Sequence, residues 1–158
     1  RALPTNHSEI AILYSNIGSL YSTMGNRCQA LKYYEKALDV RQTILPENHP
    51  SLATSYANIG SLYSKSEEYT KALFYYEKAF DIRKISLPSD HPDMAKFFNI
   101  IGFLYLKVGE HSKAISHYEK AAVIRETILP INHPSLADCY TNIGTLYLDV
   151  EEYSKALS

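Results

Sequence analysis

One eight-residue pattern, aromatic-x-x-Ile-Gly-x-Leu-Tyr, returns through this chain as Tyr14–Tyr21 (YSNIGSLY), Tyr56–Tyr63 (YANIGSLY), Phe98–Tyr105 (FNIIGFLY) and Tyr140–Tyr147 (YTNIGTLY). Its glycines, Gly18, Gly60, Gly102 and Gly144, stand 42 residues apart each time, with no insertion or deletion. A constant period of this size marks stacked helical repeats, in which each unit buries its apolar face only against its neighbours. One elongated domain is expected, with function on a surface built from repeats rather than in a single pocket.

Each unit reads as two helices. From Ser8 to about Met24, Ile10, Leu13, Tyr14, Ile17, Leu20, Tyr21 and Met24 recur at three- and four-residue steps, the helical period. Gly25-Asn26 marks a turn, and a second helix follows with Ala30, Leu31, Tyr34, Ala37, Leu38 and Arg41 on one stripe, ended by Pro46. The second unit opens at Asn48-His49-Pro50, where Pro suits the first helical turn and Asn48 or His49 can cap. Its first helix extends to about Lys65, Ser66-Glu67-Glu68 turns the chain, and Ala72, Leu73, Tyr76, Ala79, Phe80 and Arg83 form the next stripe. A third unit opens at Asp90-His91-Pro92 and turns at Gly109-Glu110; a fourth opens at Asn132-His133-Pro134 and reaches Ser158 about two turns into its second helix. The expected divisions are 1–7 (the end of a preceding repeat), 8–49, 50–91, 92–133 and a partial repeat, 134–158.

A mid-helix Gly costs about 1 kcal/mol relative to Ala, so its return in every first helix needs a reason. Close approach of the partner helix supplies one, since the small residues Ala30, Ala72, Ala114 and Ala156 share the interval.

Lys plus Arg number 16 against 17 for Asp plus Glu, with no basic cluster, which argues against nucleic acid as partner. Cys28 and Cys139 fall on different helices in separate repeats, so no disulfide is expected between them. Unpaired cysteines without metal-ligand spacing suit a reducing, cytoplasmic compartment. No apolar run approaches the roughly 20 residues that span a bilayer, and the N-terminal stretch lacks a signal-peptide pattern, so a soluble protein without a membrane partner is expected.

The pattern Tyr14-x2-Ile17-Gly18-x2-Tyr21, then Ala30-x3-Tyr34, Ala37 and Pro46, resembles the tetratricopeptide repeat over essentially the whole chain. Tyr or Phe stands where that family often has Trp, and the unit is 42 rather than about 34 residues long. The longer unit, with the junction L-P-x-x-H-P-x-L/M-A at Leu45–Ala53, Leu87–Ala95 and Leu129–Ala137, is similar to the kinesin light chain subclass. This resemblance implies an all-α, right-handed superhelical solenoid of antiparallel helix pairs. It also implies a concave groove, lined by first helices, that holds peptide segments of partner proteins.

With the Tyr14, Ile17, Leu20 stripe packed inward, the groove would present Asn16 and Ser19, Asn58 and Ser61, and Asn142 and Thr145. Asn16, Asn58 and Asn142 stand two residues before each Gly, where the family commonly grips a peptide backbone. An Asn side chain carries a donor and an acceptor and can satisfy extended amides of any sequence; the same residues could instead bond within the scaffold or face water. The third unit departs from the pattern, with Asn99 displaced by one place and Ile100, Phe103 and Leu106 on or near the open stripe. Three large apolar groups there are either a pocket for an apolar anchor, a face covered by another part of the protein, or tolerated degeneracy. Ser15, Ala57, Asn99 and Thr141 occupy the place where a carboxylate-clamping repeat would carry Lys, which speaks against that specificity.

No chemistry-bearing constellation stands out. His7, His49, His91 and His133 recur with the repeat, too far apart to share one ion, and read as junction or capping residues. No phosphate-cradling loop or nucleophile elbow is visible, so no enzyme activity, cofactor or metal is expected. Arg41, Arg83 and Arg125 recur and are expected to tie second helices to their neighbours. The expected role is a protein-interaction scaffold binding a partner's peptide. The rival is a regulatory or self-association module of a larger enzyme or receptor, with end-to-end association of the chain as a further possibility.

Overall fold

The computed structural model describes residues 6–130 and 133–156, and among these the secondary structure is helical throughout. Two compact units divide the chain, Arg1–Ser86 and Leu87–Ser158. The first holds α1 (Asn6–Thr23), α2 (Arg27–Ile44), α3 (Pro50–Lys65) and α4 (Tyr69–Ser86); the second holds α5 (Pro92–Lys107), α6 (His111–Ile128) and α7 (Pro134–Ala156). α1 packs with α2, α3 with α4 and α5 with α6, while α2 also meets α3 and α6 meets α7. This is an all-α helical-repeat fold. Of the expected end of a preceding repeat, Arg1–Thr5 lies outside the described residues, as do Ile131 and Asn132 of the last junction.

Local chemistry sets the helix limits. Gly25 (φ 75°) and Gly109 (φ 83°) take the left-handed conformation, and Glu67 (φ 60°) does so in their place between α3 and α4. Each turn closes by the same pair of bonds. Asn26, Glu68 and Glu110 donate to the carbonyls of Tyr21, Tyr63 and Tyr105, five residues back, while Gly25, Glu67 and Gly109 donate three back. This is the Schellman arrangement, which satisfies carbonyls left open at a helix end. At the other junction Leu45 and Leu129 are extended, as a residue before proline must be, and each donates its N–H to the arginine carbonyl four residues earlier.

Histidine caps the helix that follows. His49, His91 and His133 accept through Nδ1 from the N–H of Ser51, Asp93 and Ser135, at 3.1, 3.1 and 3.2 Å. Of the two capping candidates, Asn48 and His49, the histidine therefore fills the role.

The recurrent glycine is explained by an aromatic ring more than by small residues. A Cβ at Gly18 would stand 2.6 Å from the Tyr34 ring, and one at Gly60 2.8 Å from the Tyr76 ring; at Gly102 the nearest atom would be in the Tyr118 ring at 3.2 Å. The expected small partners contribute through their backbone, with the Ala72 and Ala114 carbonyls each at 3.3 Å from such a Cβ. Gly144 would meet nothing within 4 Å.

A second aromatic layer joins each pair and was missed by the periodic stripes. Tyr33 stacks on Tyr21 (5.6 Å, 12°) and tilts against Tyr14 (6.0 Å). Tyr75 repeats this with Tyr63 (5.6 Å, 10°) and Tyr56 (6.3 Å), and His117 takes the place with Tyr105 (5.2 Å) and Phe98 (5.9 Å). Such contacts contribute roughly 0.5–1.5 kcal/mol each beyond area burial.

The arginines link second helices to first helices. Arg41 is buried and donates to Ser55 Oγ, Arg83 donates to Thr54 Oγ at 3.2 Å, and Arg125 donates to the Ser135 carbonyl and to the buried Cys139 Sγ. Burial lowers the Arg41 guanidinium from its ordinary value. Cys28 and Cys139 are both free thiols.

Two expectations need correction. Leu13, Leu20 and Met24 lie on the predicted core stripe of α1 yet are 55%, 60% and 69% exposed. Leu20's counterparts Leu62 and Leu146 are buried because α3 has α2, and α7 has α6, on that side; α1 has no such neighbour among the described residues. The second correction concerns the fourth unit, where the repeat predicts a turn near Glu151 but α7 runs unbroken from Pro134 to Ala156. A non-glycine residue in the left-handed conformation costs about 1–2 kcal/mol. Docking of the 18-residue α4 offsets that at Glu67.

Candidate functional site

The candidate residues lie on first helices, and each unit presents its own set. In the first unit Asn16 and Ser19 are exposed on α1, while Asn58 and Ser61 are half-buried on α3. A lysine bridges the two helices on this side, with Lys65 Nζ of α3 donating to Ser22 Oγ of α1 at 3.5 Å. Ser61 is engaged by the scaffold through a side-chain hydrogen bond with Tyr76, which partly opposes the rise in the phenol's pKa caused by burial. Thr54, on the same stripe, donates to the Pro50 carbonyl at 3.4 Å and accepts from Arg83. Ser15 Oγ is buried without a hydrogen-bond partner. The open polar groups of this face are thus Asn16, Ser19 and the accessible part of Asn58.

In the second unit Asn99 and Ile100 are half-buried on α5, and Phe103 is 37% exposed with Lys107 Nζ 5.5 Å above its ring. Leu106 packs against the cluster Ala114, Ile115, Tyr118 and Leu146, beside Tyr105 and Ile143. The three large apolar groups seen in the sequence therefore part company, with Leu106 turned into the core and Phe103 left at the surface. On α7, Asn142 and Thr145 are exposed, and Thr145 donates to the Thr141 carbonyl of its own helix at 2.9 Å. Asp149, also on that stripe, has a side chain outside the described residues.

Titration is perturbed in the tyrosine core. Burial, with a smaller contribution from Cys139, pushes Tyr118 up to about 12, and burial also raises Tyr75 and Tyr76. Among the described residues no group of three or more His, Cys, Asp or Glu side chains could hold a metal ion, and no helix is long and apolar enough to cross a membrane.

A family model described as tetratricopeptide repeat matches residues 9–85 and 93–158. The chain belongs to the tetratricopeptide repeat family. Tetratricopeptide arrays are protein-interaction scaffolds and are typically non-enzymatic. No curated protein sequence matches this chain.

Among solved structures, BtubC (BKLC) from P. vanneervenii is similar at a TM-score of 0.80 and 23% identity over 92% of this chain, which spans only 58% of that one. A kinesin-light-chain-type protein of Podosopora anserina with nearly identical TPR-like repeats gives a TM-score of 0.78 at 19% identity, covering 95% of this chain and 71% of that one. The fold is thus of the kinesin-light-chain-like tetratricopeptide type. The first TPR of Spaghetti (RPAP3), bound in its structure to the HSP90 peptide SRMEEVD, gives a TM-score of 0.65 at 16% identity, over 91% of this chain and 98% of that one.

Proposed function

We propose that this tetratricopeptide array binds an extended peptide segment of a partner protein along its first helices. The observation that carries the reading is the exposed amide of Asn16 beside the small, exposed Ser19, with the Asn58 amide on the next first helix of the same unit. These amides offer donors and acceptors to a peptide backbone, and the small neighbours leave room for it. In the second unit Asn99 and Asn142 serve the backbone, and Phe103 with the accessible part of Ile100 meets an apolar side chain. Leu106 supports that surface from the core side. The balanced charge favours a protein over a nucleic-acid partner, and the two free cysteines favour a reducing compartment such as the cytoplasm.

The test is calorimetry with a peptide selected by display against the chain, comparing the native protein with a variant carrying both Asn58→Ala and Phe103→Ala. Affinity is expected to fall by about tenfold or more, equivalent to about 1.4 kcal/mol. Unchanged affinity would remove the first-helix assignment.

A further inference from the structure

Each unit has a cleft, and the two linings share five repeat positions whose chemistry differs between them. In the first unit a cleft of about 400 Å³ lies between Tyr56 of α3 and Lys78, Asp81 and Ile82 of α4, with Glu47 of the junction at its edge. In the second unit the residues 42 places on, Phe98, Lys120, Val123 and Ile124 with Ser89, line a cleft of about 370 Å³ together with Glu119. Three of these positions differ. Ser89 stands where the first unit has Glu47, Phe98 where it has Tyr56, and Val123 where it has Asp81.

The carboxylates of Glu47 and Asp81 have no counterpart at these positions, the Tyr56 hydroxyl gives way to that of Ser89, and the lysine is retained, its Nζ 5.8 Å from the centroid of the Phe98 ring. The remaining carboxylate, Glu119, accepts a hydrogen bond from the Tyr147 hydroxyl at 3.1 Å. Val123 is 60% exposed, although the preceding second helices carry the exposed acids Asp39 and Asp81 at this position. An apolar side chain in water where the repeat twice places an acid gives the cleft a surface that gains by being covered. The ammonium at its rim faces one lining carboxylate, itself bonded to Tyr147, where the first cleft has two, and this shift favours a negative charge in whatever covers it.

We propose that the cleft between α5 and α6 is a second docking site, for a peptide segment of a partner protein in which an apolar residue adjoins an acidic one. The apolar side chain covers Phe98, Val123 and Ile124, and the carboxylate meets Lys120. The site uses none of Asn99, Ile100, Phe103 or Asn142, so it stands or falls separately from the first-helix surface.

The probes are acetyl-Glu-Leu-Glu-amide and acetyl-Lys-Leu-Lys-amide, titrated into the methyl-labelled chain while the Val123 and Ile124 methyl resonances are followed by NMR. The acidic peptide is expected to shift both signals saturably and the basic one to leave them in place. Val123→Asp and Ser89→Glu restore what the first unit carries at these positions, so the repeat tolerates them; together they should weaken the acidic peptide about tenfold with an unchanged melting temperature. Lys120→Gln should abolish the preference for the acidic peptide while leaving the fold intact. No shift at Val123 and Ile124, equal binding of both peptides, or unchanged affinity in the Val123→Asp, Ser89→Glu variant would each overturn the proposal.

Discussion

At the scale of single residues, the helix pairs are held by aromatic rings pressed onto bare backbone. The Tyr76 ring and the Ala72 carbonyl leave no room for a side chain at Gly60, where a Cβ would stand 2.8 and 3.3 Å from them, whereas the same atom at Gly144 meets nothing within 4 Å. Gly60→Leu is therefore expected to cost roughly 1–3 kcal/mol or more in urea unfolding, through overpacking. Gly144→Ala should instead be neutral or stabilising by up to about 1 kcal/mol, the difference in helix propensity. Equal losses at the two sites would refute the ring contact as the cause. That glycine recurs was plain in the sequence; that its partner is a tyrosine ring was not, because a period identifies equivalent positions without saying which of them meet. His117 makes the same point, since it lies between Tyr105 and Phe98 where the other pairs place a tyrosine.

At the scale of helices and turns, the limits of each element follow from a few residues acting locally. The turn between α3 and α4 does with Glu67 (φ 60°) what the other two described turns do with Gly25 and Gly109. Glu67→Gly should relieve that backbone and raise stability by about 0.5–1 kcal/mol, the left-handed penalty reduced by the greater entropy of an unfolded glycine. A lower denaturation midpoint in this variant would show that the Glu67 side chain, not the backbone, decides the turn. The turns and the capping junctions were legible because each depends only on residues a few places apart, while the choice of His49 over Asn48 as the cap came from the structure. The continuous α7 was not legible, because whether a non-glycine residue takes the left-handed conformation depends on packing that offsets its cost, as at Glu67.

At the scale of the whole molecule, packing is carried by an unusual aromatic store of 14 tyrosines and no tryptophan. Their burial ties stability to alkaline pH. Tyr118 is raised to about 12 from the ordinary value of 10.0, chiefly because burial penalises the phenolate. The folded state therefore holds this proton to higher pH than the unfolded state does. Its contribution is fully present below about pH 10 and is lost as pH rises toward about 12. Tyr75 and Tyr76 shift in the same direction. Thermal melts across this window should show a falling midpoint, and Tyr118→Phe should flatten part of that slope; a slope unchanged in the variant would assign the effect to other tyrosines.

The 42-residue interval, with its glycines, prolines and junction histidines, by itself determined the helix pairs, their limits apart from the end of the fourth unit, and membership of the tetratricopeptide family. These features rest on local rules of capping, turn geometry and helical period, which act between near neighbours along the chain. Only the tertiary structure decided that Ser61 bonds to Tyr76 and that Leu106 joins the core while Phe103 stays outside. It also decided that Ser89, Phe98 and Val123, three separate departures from the repeat, meet in one cleft beside Lys120. A side chain's role there is set by which helix packs next to its own, and that partner lies far away in sequence.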